Sequence, residues 1–420
     1  MKIVVTGKGG REHALLRALS ESGRRLELHA CPGSDAMEGL ARRVSAGSPA
    51  ELVEWMKAGG IDLCVAGEEA WLVEGEGLAN LCREAGIPCW GPVREAAMLE
   101  ASKQFAKEFM DRHRIPTAGF AVAESAVEAR GAVQSLPVVL KFDGLAAGKG
   151  VRVCTSWAEV DEFLQIVFTE RRFGPGRMVV EECLDGPEIS IFAAVADGDH
   201  QVLACARDYK RLADGDEGPN TGGMGAVASR VLLPAGQLEQ IEREVIQPTV
   251  SGLVTDGLNY RGFLYFGLML TADGPKVLEY NCRFGDPECQ VVMPLLRGDF
   301  AGYVRQAADG RLQSGLIELT DGWSVGVILA SAGYPDSSRS GDRIEGLEQA
   351  TAAGARVYHA GTRHTRDGQG YETHGGRVLA VVATAADRAE AVTRAYLAAQ
   401  HVQFEGSQRR GDIGRMHFEG

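Results

Sequence analysis

The chain has 420 residues and 44.9 kDa, which at roughly 100–200 residues per domain gives room for two to four domains. Hydrophobic residues at 45% and charged residues at 24% are ordinary globular usage, which excludes a disordered chain. The 54 glycines follow no Gly-X-Y period, which excludes collagen. The net charge of −13 argues against a general binder of nucleic acid or anionic membrane, while a local basic pocket for phosphate stays open.

The nine cysteines are scattered and form no Cys-x-x-Cys pair. That is the pattern of reduced, mostly buried thiols in a cytosolic protein, and no zinc site is expected. Met1–Gly7 is not a secretory leader, and no run of about 18 apolar residues occurs. A cytoplasmic protein that does not span a membrane is expected.

In chain order, Lys2–Thr6 is β-branched and apolar, as in a buried parallel strand. A glycine turn follows, and residues 11–19 carry the apolar stripe of a helix. Strands over Leu26–Ala30 and Ile61–Ala66 alternate with helices over Ala50–Ala58 and Gly75–Ala85. Alternating strand and helix with short Gly/Pro joints implies an open parallel sheet, ending near Glu100. Ala101–His113 reads as a linking helix. Phe120–Gln134 reads as a helix and Pro137–Phe142 as a strand. Strands near Val325–Ala330, Arg356–Ala360 and Arg377–Thr384, with a helix near Ala386–Ala399, make a final α+β segment.

Five segments carry chemistry. Gly7-Lys8-Gly9-Gly10-Arg11-Glu12 joins a strand to a helix, where exposed N–H donors and the positive dipole end suit an anion. It has neither the dinucleotide spacing nor a Walker lysine, so a nicotinamide dehydrogenase is a poor match. In residues 138–151 a strand ends in Lys141, and a loop of small residues with Gly144, Gly148 and Lys149 follows. Such backbone closes over phosphate oxygens while the lysines neutralise them. Val179–Glu188 offers a strand edge for adenine and carboxylates for ribose hydroxyls. Residues 219–226 form another glycine loop, with Lys210 and Arg211 just upstream, suited to covering a phosphate or small carboxylate.

Lys276–Glu288 is the most informative segment. Glu279 and Asn281 stand at i and i+2 of a strand, so both point to one face. Two hard oxygen ligands side by side suit Mg²⁺, which prefers few protein ligands plus phosphates and water. Arg283 falls on the same face if the strand continues, close enough to stabilise a transferring phosphoryl group. A purely structural strand would instead pair Glu279 with Arg283.

Taken together these motifs resemble the ATP-grasp carboxylate–amine ligases, and within them the glycinamide ribonucleotide synthetase family. The likeness is carried by Gly-Lys-Gly-Gly-Arg-Glu-His-Ala (7–14), Lys-Phe-Asp-Gly-Leu-Ala-Ala-Gly-Lys-Gly-Val (141–151), Gly-Pro-Asn-Thr-Gly-Gly-Met-Gly-Ala (218–226) and Glu-Tyr-Asn-Cys-Arg-Phe-Gly-Asp-Pro-Glu (279–288). The resemblance implies an α/β and α+β chain in three parts. A pre-ATP-grasp parallel-sheet domain covers 1–100 and a linking helix 101–120. An ATP-grasp small lobe covers 121–190 and a large lobe 191–322, with a small C-terminal α+β domain over 323–420.

It also implies roles. Lys103, Lys141 and Lys149 contact phosphate and nucleotide, with Gly144 and Gly148 in the covering loop. Glu181, Leu184 and Glu188 contact adenine and ribose. Glu279 and Asn281 hold Mg²⁺ or Mn²⁺, without a further acid from Phe266–Met269. Arg283, Lys149, Asp208 and Asp286 act in catalysis. Gly9, Gly10, Arg11, Glu12 and Glu69 bind substrate, with Asn220, Gly222, Gly223, Arg283 and Arg377. The implied reaction joins glycine to phosphoribosylamine with ATP, in a monomer or weak dimer. Departures from the family pattern at Glu68, Trp71, Tyr209, His374 and Gly411 leave two alternatives open. One is a paralogous ligase for another amine or amino acid, and the other is a non-catalytic nucleotide-binding regulator.

Overall fold

The computed structural model describes residues 1–144 and 150–415. Gly148 and Lys149, both expected at the nucleotide, lie outside the described residues. Among the described residues no helix is long and apolar enough to cross a membrane.

The N-terminal part is a parallel sheet of five strands. In spatial order they are Arg42–Arg43, Glu27–Pro32, Lys2–Gly7, Leu63–Ala66 and Cys89–Trp90. Helices cover both faces, so the central strands are buried throughout, as their unbroken apolar runs demand. The helix expected over Gly75–Ala85 is shorter, Leu78–Glu84, with a separate turn at Ala70–Val73. Gly75 and Gly77 have φ of +58° and +85°, a left-handed backbone that a continuing helix does not accept.

The expected linking helix is Lys103–Arg112, and a separate helix, Arg94–Ala101, precedes it. Ser102 separates them in an extended conformation, and its hydroxyl accepts from Phe105 N–H at 3.1 Å. That same hydroxyl donates to Asp143 Oδ1 at 3.0 Å, which ties the second helix to the strand end ahead of the glycine loop.

The small lobe is an antiparallel sheet ordered Phe120–Ala123, Met178–Glu182, Val138–Phe142 and Val151–Cys154. Here the expectation of a helix starting at Phe120 is corrected: Phe120–Ala123 is an edge strand, and the helix is Ala126–Ala132. Ser125 starts that helix by accepting from Glu128 N–H, its own backbone extended as an N-cap requires, so the helix begins only after it.

The large lobe and the C-terminal segment share one antiparallel sheet of eight strands. It runs Gly274–Asn281, Arg261–Thr271, Glu188–Ala196, Asp199–Asp208, Gly225–Ser229, Trp323–Ala330, Arg377–Ala385 and Arg356–His359. The helix Arg388–His401, capped by Asp387, packs its buried face toward this sheet. One apolar core joins Ile3, Val5 and Leu15 to Phe192, Phe263 and Phe284, and to Tyr358 and Val382. The three parts are held against one another by this shared core, so side chains from all of them can meet.

Candidate active site

The first group of expected site residues is built on lysines, two of them buried. Lys141, at the end of its small-lobe strand, pairs with Glu181 Oε1 at 2.9 Å and donates to Leu278 O at 3.0 Å. It thereby bridges the small lobe to the strand that carries Glu279. Lys107 takes the other oxygen of Glu181 at 2.8 Å. The Glu181 carboxylate is thus fully engaged inside the protein, where it orients two lysines. Lys103 donates to Gly144 O at 3.1 Å, and burial lowers its pKa against the pull of nearby Glu279. Gly144 has φ +152°, and a Cβ there would sit 2.8 Å from the Phe142 ring. Leu184 lies half-buried in the turn after the Glu181 strand. Glu188 pairs with Lys210 at 2.8 Å, and this contact holds the carboxyl below its ordinary range.

Glu279 and Asn281 lie on one face of the strand Gly274–Asn281, both half-exposed. Their in-register neighbours are Gly267 and Tyr265. A Cβ on Gly267 would come within 3.1 Å of Glu279 Cγ, so the glycine leaves Glu279 its space. A carboxylate and an amide oxygen beside this vacant side-chain position, with lysines nearby, fit a hard divalent cation that also carries phosphate. The strand ends at Asn281. Arg283 lies just beyond and pairs with Glu100 at 2.7 Å and Glu69 at 3.1 Å, in place of the structural pairing with Glu279.

The substrate side is a junction of charges from distant parts of the chain. Arg11, buried, pairs with Glu12 at 2.6 Å and donates to Phe284 O at 3.2 Å. Glu69 lies 3.9 Å from Arg11, and the two arginines hold its carboxyl low against the effect of burial. Glu12 accepts from Gly9 N–H at 2.7 Å, so its carboxylate occupies part of the helix N-terminus expected to bind an outside anion. Gly10 packs against Gln290, where a Cβ would meet Nε2 at 2.6 Å. Gln290 donates to Asp286 Oδ1 at 2.8 Å. Arg377 pairs with the same oxygen at 3.3 Å and donates to Gly222 O and Asp286 O. Gly9, Gly10, Arg11, Glu12, Glu69, Gly222, Arg283, Asp286 and Arg377 therefore form one connected group.

Gly223 closes over a second acid. With φ +109°, it leaves no room for a Cβ, which would stand 2.5 Å from Asp208 Oδ1. Burial, then the nearby Glu288, push the Asp208 carboxyl well above its ordinary value. Asn220 is exposed on a hairpin strand paired with Arg211, apart from the connected group.

Glu100, Lys107 and Glu288 escaped the sequence reading. Glu100, its side chain 7% exposed, accepts from Cys282 N–H at 2.6 Å and has its pKa pushed up to about 7 by burial. A single Glu near a helix end carries no local signal; only the fold places it on Arg283. Two of the departing residues serve packing. Tyr209 is buried against Val227, Val325 and Ile413 and accepts from Gly414 N–H at 3.1 Å. Trp71 packs on the N-terminal core, while His374 and Gly411 are exposed.

Family models for phosphoribosylglycinamide synthetase match residues 1–100 (N domain), 101–289 (ATP-grasp domain) and 324–416 (C domain). The chain belongs to the phosphoribosylglycinamide synthetase family. It is 42% identical to the phosphoribosylamine–glycine ligase of Allochromatium vinosum, over 99% of this chain and 98% of that protein. The crystal structure of the phosphoribosylamine–glycine ligase of Thermotoga maritima superposes with a TM-score of 0.86 at 35% identity, covering 98% of this chain and all of that one. The biotin carboxylase domain of Hydrogenobacter thermophilus 2-oxoglutarate carboxylase, crystallised with MgADP, shares the fold at a TM-score of 0.72 and 20% identity, covering 97% of this chain and 91% of that one. The family has the three-part ATP-grasp architecture expected from the motifs.

Proposed function

We propose that the protein joins glycine to 5-phosphoribosylamine with ATP, giving glycinamide ribonucleotide, ADP and phosphate. One observation carries this reading above the others. Arg11, Glu69, Arg283, Asp286 and Arg377, from three parts of the chain, converge just past the end of the strand bearing Glu279 and Asn281. Likeness over the full length to ligases of that name supports it.

The chemistry follows from leaving groups. An amine cannot displace oxide from a carboxylate. A glycine carboxylate oxygen attacks the γ-phosphorus, the bond to the β-phosphate oxygen breaks, and ADP leaves with that electron pair. The product, glycyl phosphate, has phosphate as a competent leaving group. The amine nitrogen then attacks its carbonyl carbon, phosphate departs, and the nitrogen loses its proton. No protein nucleophile is needed; position and charge supply the catalysis.

Lys103 and Lys141 neutralise phosphate oxygens. Arg283, held from behind by Glu69 and Glu100, faces the transferring group as a fixed cation. Arg11 and Arg377 orient an anionic substrate, and the loop carrying Gly222 and Gly223 shields the acyl phosphate from water. A divalent cation, Mg²⁺ or Mn²⁺, held by Glu279 and Asn281 would neutralise the triphosphate. Lys149 and Gly148 complete the covering loop in this reading, with Glu181, Leu184 and Glu188 on the nucleoside side and Asn220 on the substrate side. Asp208 and Asp286 act beside the reacting groups. The reading takes domain divisions at 100, 120, 190 and 322 and a cytoplasmic monomer or weak dimer.

The test is ADP release in the presence of glycine and phosphoribosylamine. ADP and phosphate should form in equal amounts, and only with both substrates present. No release above background overturns the reading, and release with another amine moves the protein to a paralogous ligase.

A further inference from the structure

The N-terminal sheet holds a second cluster that the ligase reaction does not use. Cys64 lies on the strand Leu63–Ala66, and Cys89 is its in-register neighbour on Cys89–Trp90. Register partners on parallel strands leave the same face of a sheet. Cys82 comes from the helix Leu78–Glu84, and its side chain shares an apolar core with Cys64 and Cys89. The three sulfurs lie within 4.8 Å of one another. All three thiols are reduced.

That spacing suits a shared ion. Sulfurs bound to one zinc at about 2.3 Å stand roughly 3.8–4 Å apart. The donor set is purely sulfur, and the surrounding side chains are apolar: Val4, Leu52, Leu78 and Ile87. Thiolate ligands without oxygen partners select soft or borderline cations over Mg²⁺ and Ca²⁺. There is also a way in. Cys64 and Cys82 are buried, but Cys89 is half-buried and lines a cavity of about 220 Å³. Arg83 and Pro88 share its wall, with Asn259 and Arg261 contributed by the large lobe. A metal site needs an entry path, and a three-ligand site needs room for a fourth ligand; this cavity offers both.

We propose that Cys64, Cys82 and Cys89 form a trithiolate site for one thiophilic d¹⁰ cation of the Zn²⁺ type, with its fourth position toward the cavity. The site pins the edge strand and its helix to the sheet, and it stands whether or not the ligase reading does. The strand–helix–strand connection brings the three residues together, so no short Cys-x-x-Cys spacing announces them in the sequence.

The test uses the full-length, reduced, metal-free protein and Co²⁺ as a coloured stand-in. A thiolate-to-cobalt charge-transfer band should grow, saturate at one equivalent and disappear on adding Zn²⁺. The Glu279–Asn281 pair has only oxygen donors and gives no such band. Cys89→Ala should abolish it, whereas Cys183→Ala, which alters a half-buried thiol in another part of the chain, should leave it intact. X-ray absorption of the zinc-loaded wild type needs no variant, and three sulfur neighbours at about 2.3 Å are expected. A missing band at one equivalent, a band that survives Cys89→Ala, or a zinc shell of nitrogen and oxygen alone overturns the proposal.

Discussion

Two regions of buried charge lie on either side of the strand Gly274–Asn281, and they are balanced differently. On the nucleotide side Lys107 and Lys141 share one carboxylate, Glu181, with Lys103 close by. On the substrate side Arg11 and Arg283 meet Glu12, Glu69 and Glu100. In the first, burial has driven the Lys107 pKa down to about 8, a cost that a polyanion such as triphosphate would relieve. The second balances itself, and burial raises the Glu100 carboxyl to about 7.

The largest expected effect breaks the strand between the two regions. Glu279→Ala with Asn281→Ala should lower ATP turnover by about 10³-fold or more, because charge stabilisation in the transition state is lost. Both side chains are half-exposed, so the unfolding midpoint should hardly move. Undiminished turnover would falsify the proposed mechanism outright. Next comes Glu181→Gln, which leaves Lys107 and Lys141 buried beside a neutral amide. Breaking a buried pair of this kind costs about 3–5 kcal/mol, to be measured by urea unfolding. A loss below about 1 kcal/mol would mean that the lysines are already compensated elsewhere.

The difference between the regions also marks what the sequence could convey. Lys141, Glu279, Asn281 and Arg283 sit in short segments that suggest phosphate and metal chemistry only when the four motifs are taken together, since Glu279 and Arg283 alone read equally as a structural ion pair. The parallel sheet was legible from alternating strands and helices, because both depend on local pattern. Glu100 and Lys107 depend on contacts across the fold and leave no local trace. The edge strand Phe120–Ala123 is misleading because three half-buried residues and one buried alanine ahead of a capped helix share the helix's apolar content. Helix-end physics suggests an anion site at the glycine turn 7–10, yet Glu12 of the same helix answers part of that demand. The C-terminal strands were found one by one, but their joining to the large-lobe sheet is a matter of long-range register.

A smaller effect sharpens the balance at Arg283. Folding raises the Glu100 pKa from 4.5 to about 7. Its contribution is therefore full below pH 4.5 and is lost as pH rises through about 7, since the unfolded chain gives up the proton first. Glu100→Gln cannot ionise and should gain on the wild type between pH 5 and 8, by about 2 kcal/mol. Chemical unfolding across that range reads the difference. If the variant loses ground as pH rises, Glu100 is ionised in the folded protein and its pairing with Arg283 outweighs the burial.

The smallest effect has the opposite slope and lies one residue beyond Glu12, where the N-terminal helix meets the C-terminal strand Arg356–His359. His13 Nδ1 accepts from the backbone N–H of His359 at 3.0 Å, so a neutral His13 carries its proton on Nε2. Burial, aided by Arg17, lowers the His13 pKa from 6.5 to about 4. The folded state keeps the ring neutral while the unfolded chain protonates it. Stability is thus present above pH 6.5 and lost as pH falls toward 4. Through this ring the wild type should lose about 1 kcal/mol between pH 6.5 and 5.5. His13→Gln keeps an acceptor for His359 N–H and removes the titration, so the gap between the two proteins should narrow on acidification. A gap independent of pH would show that His13 is charged or solvated at this seam, and that the N- and C-terminal parts meet there less tightly than the structure has them.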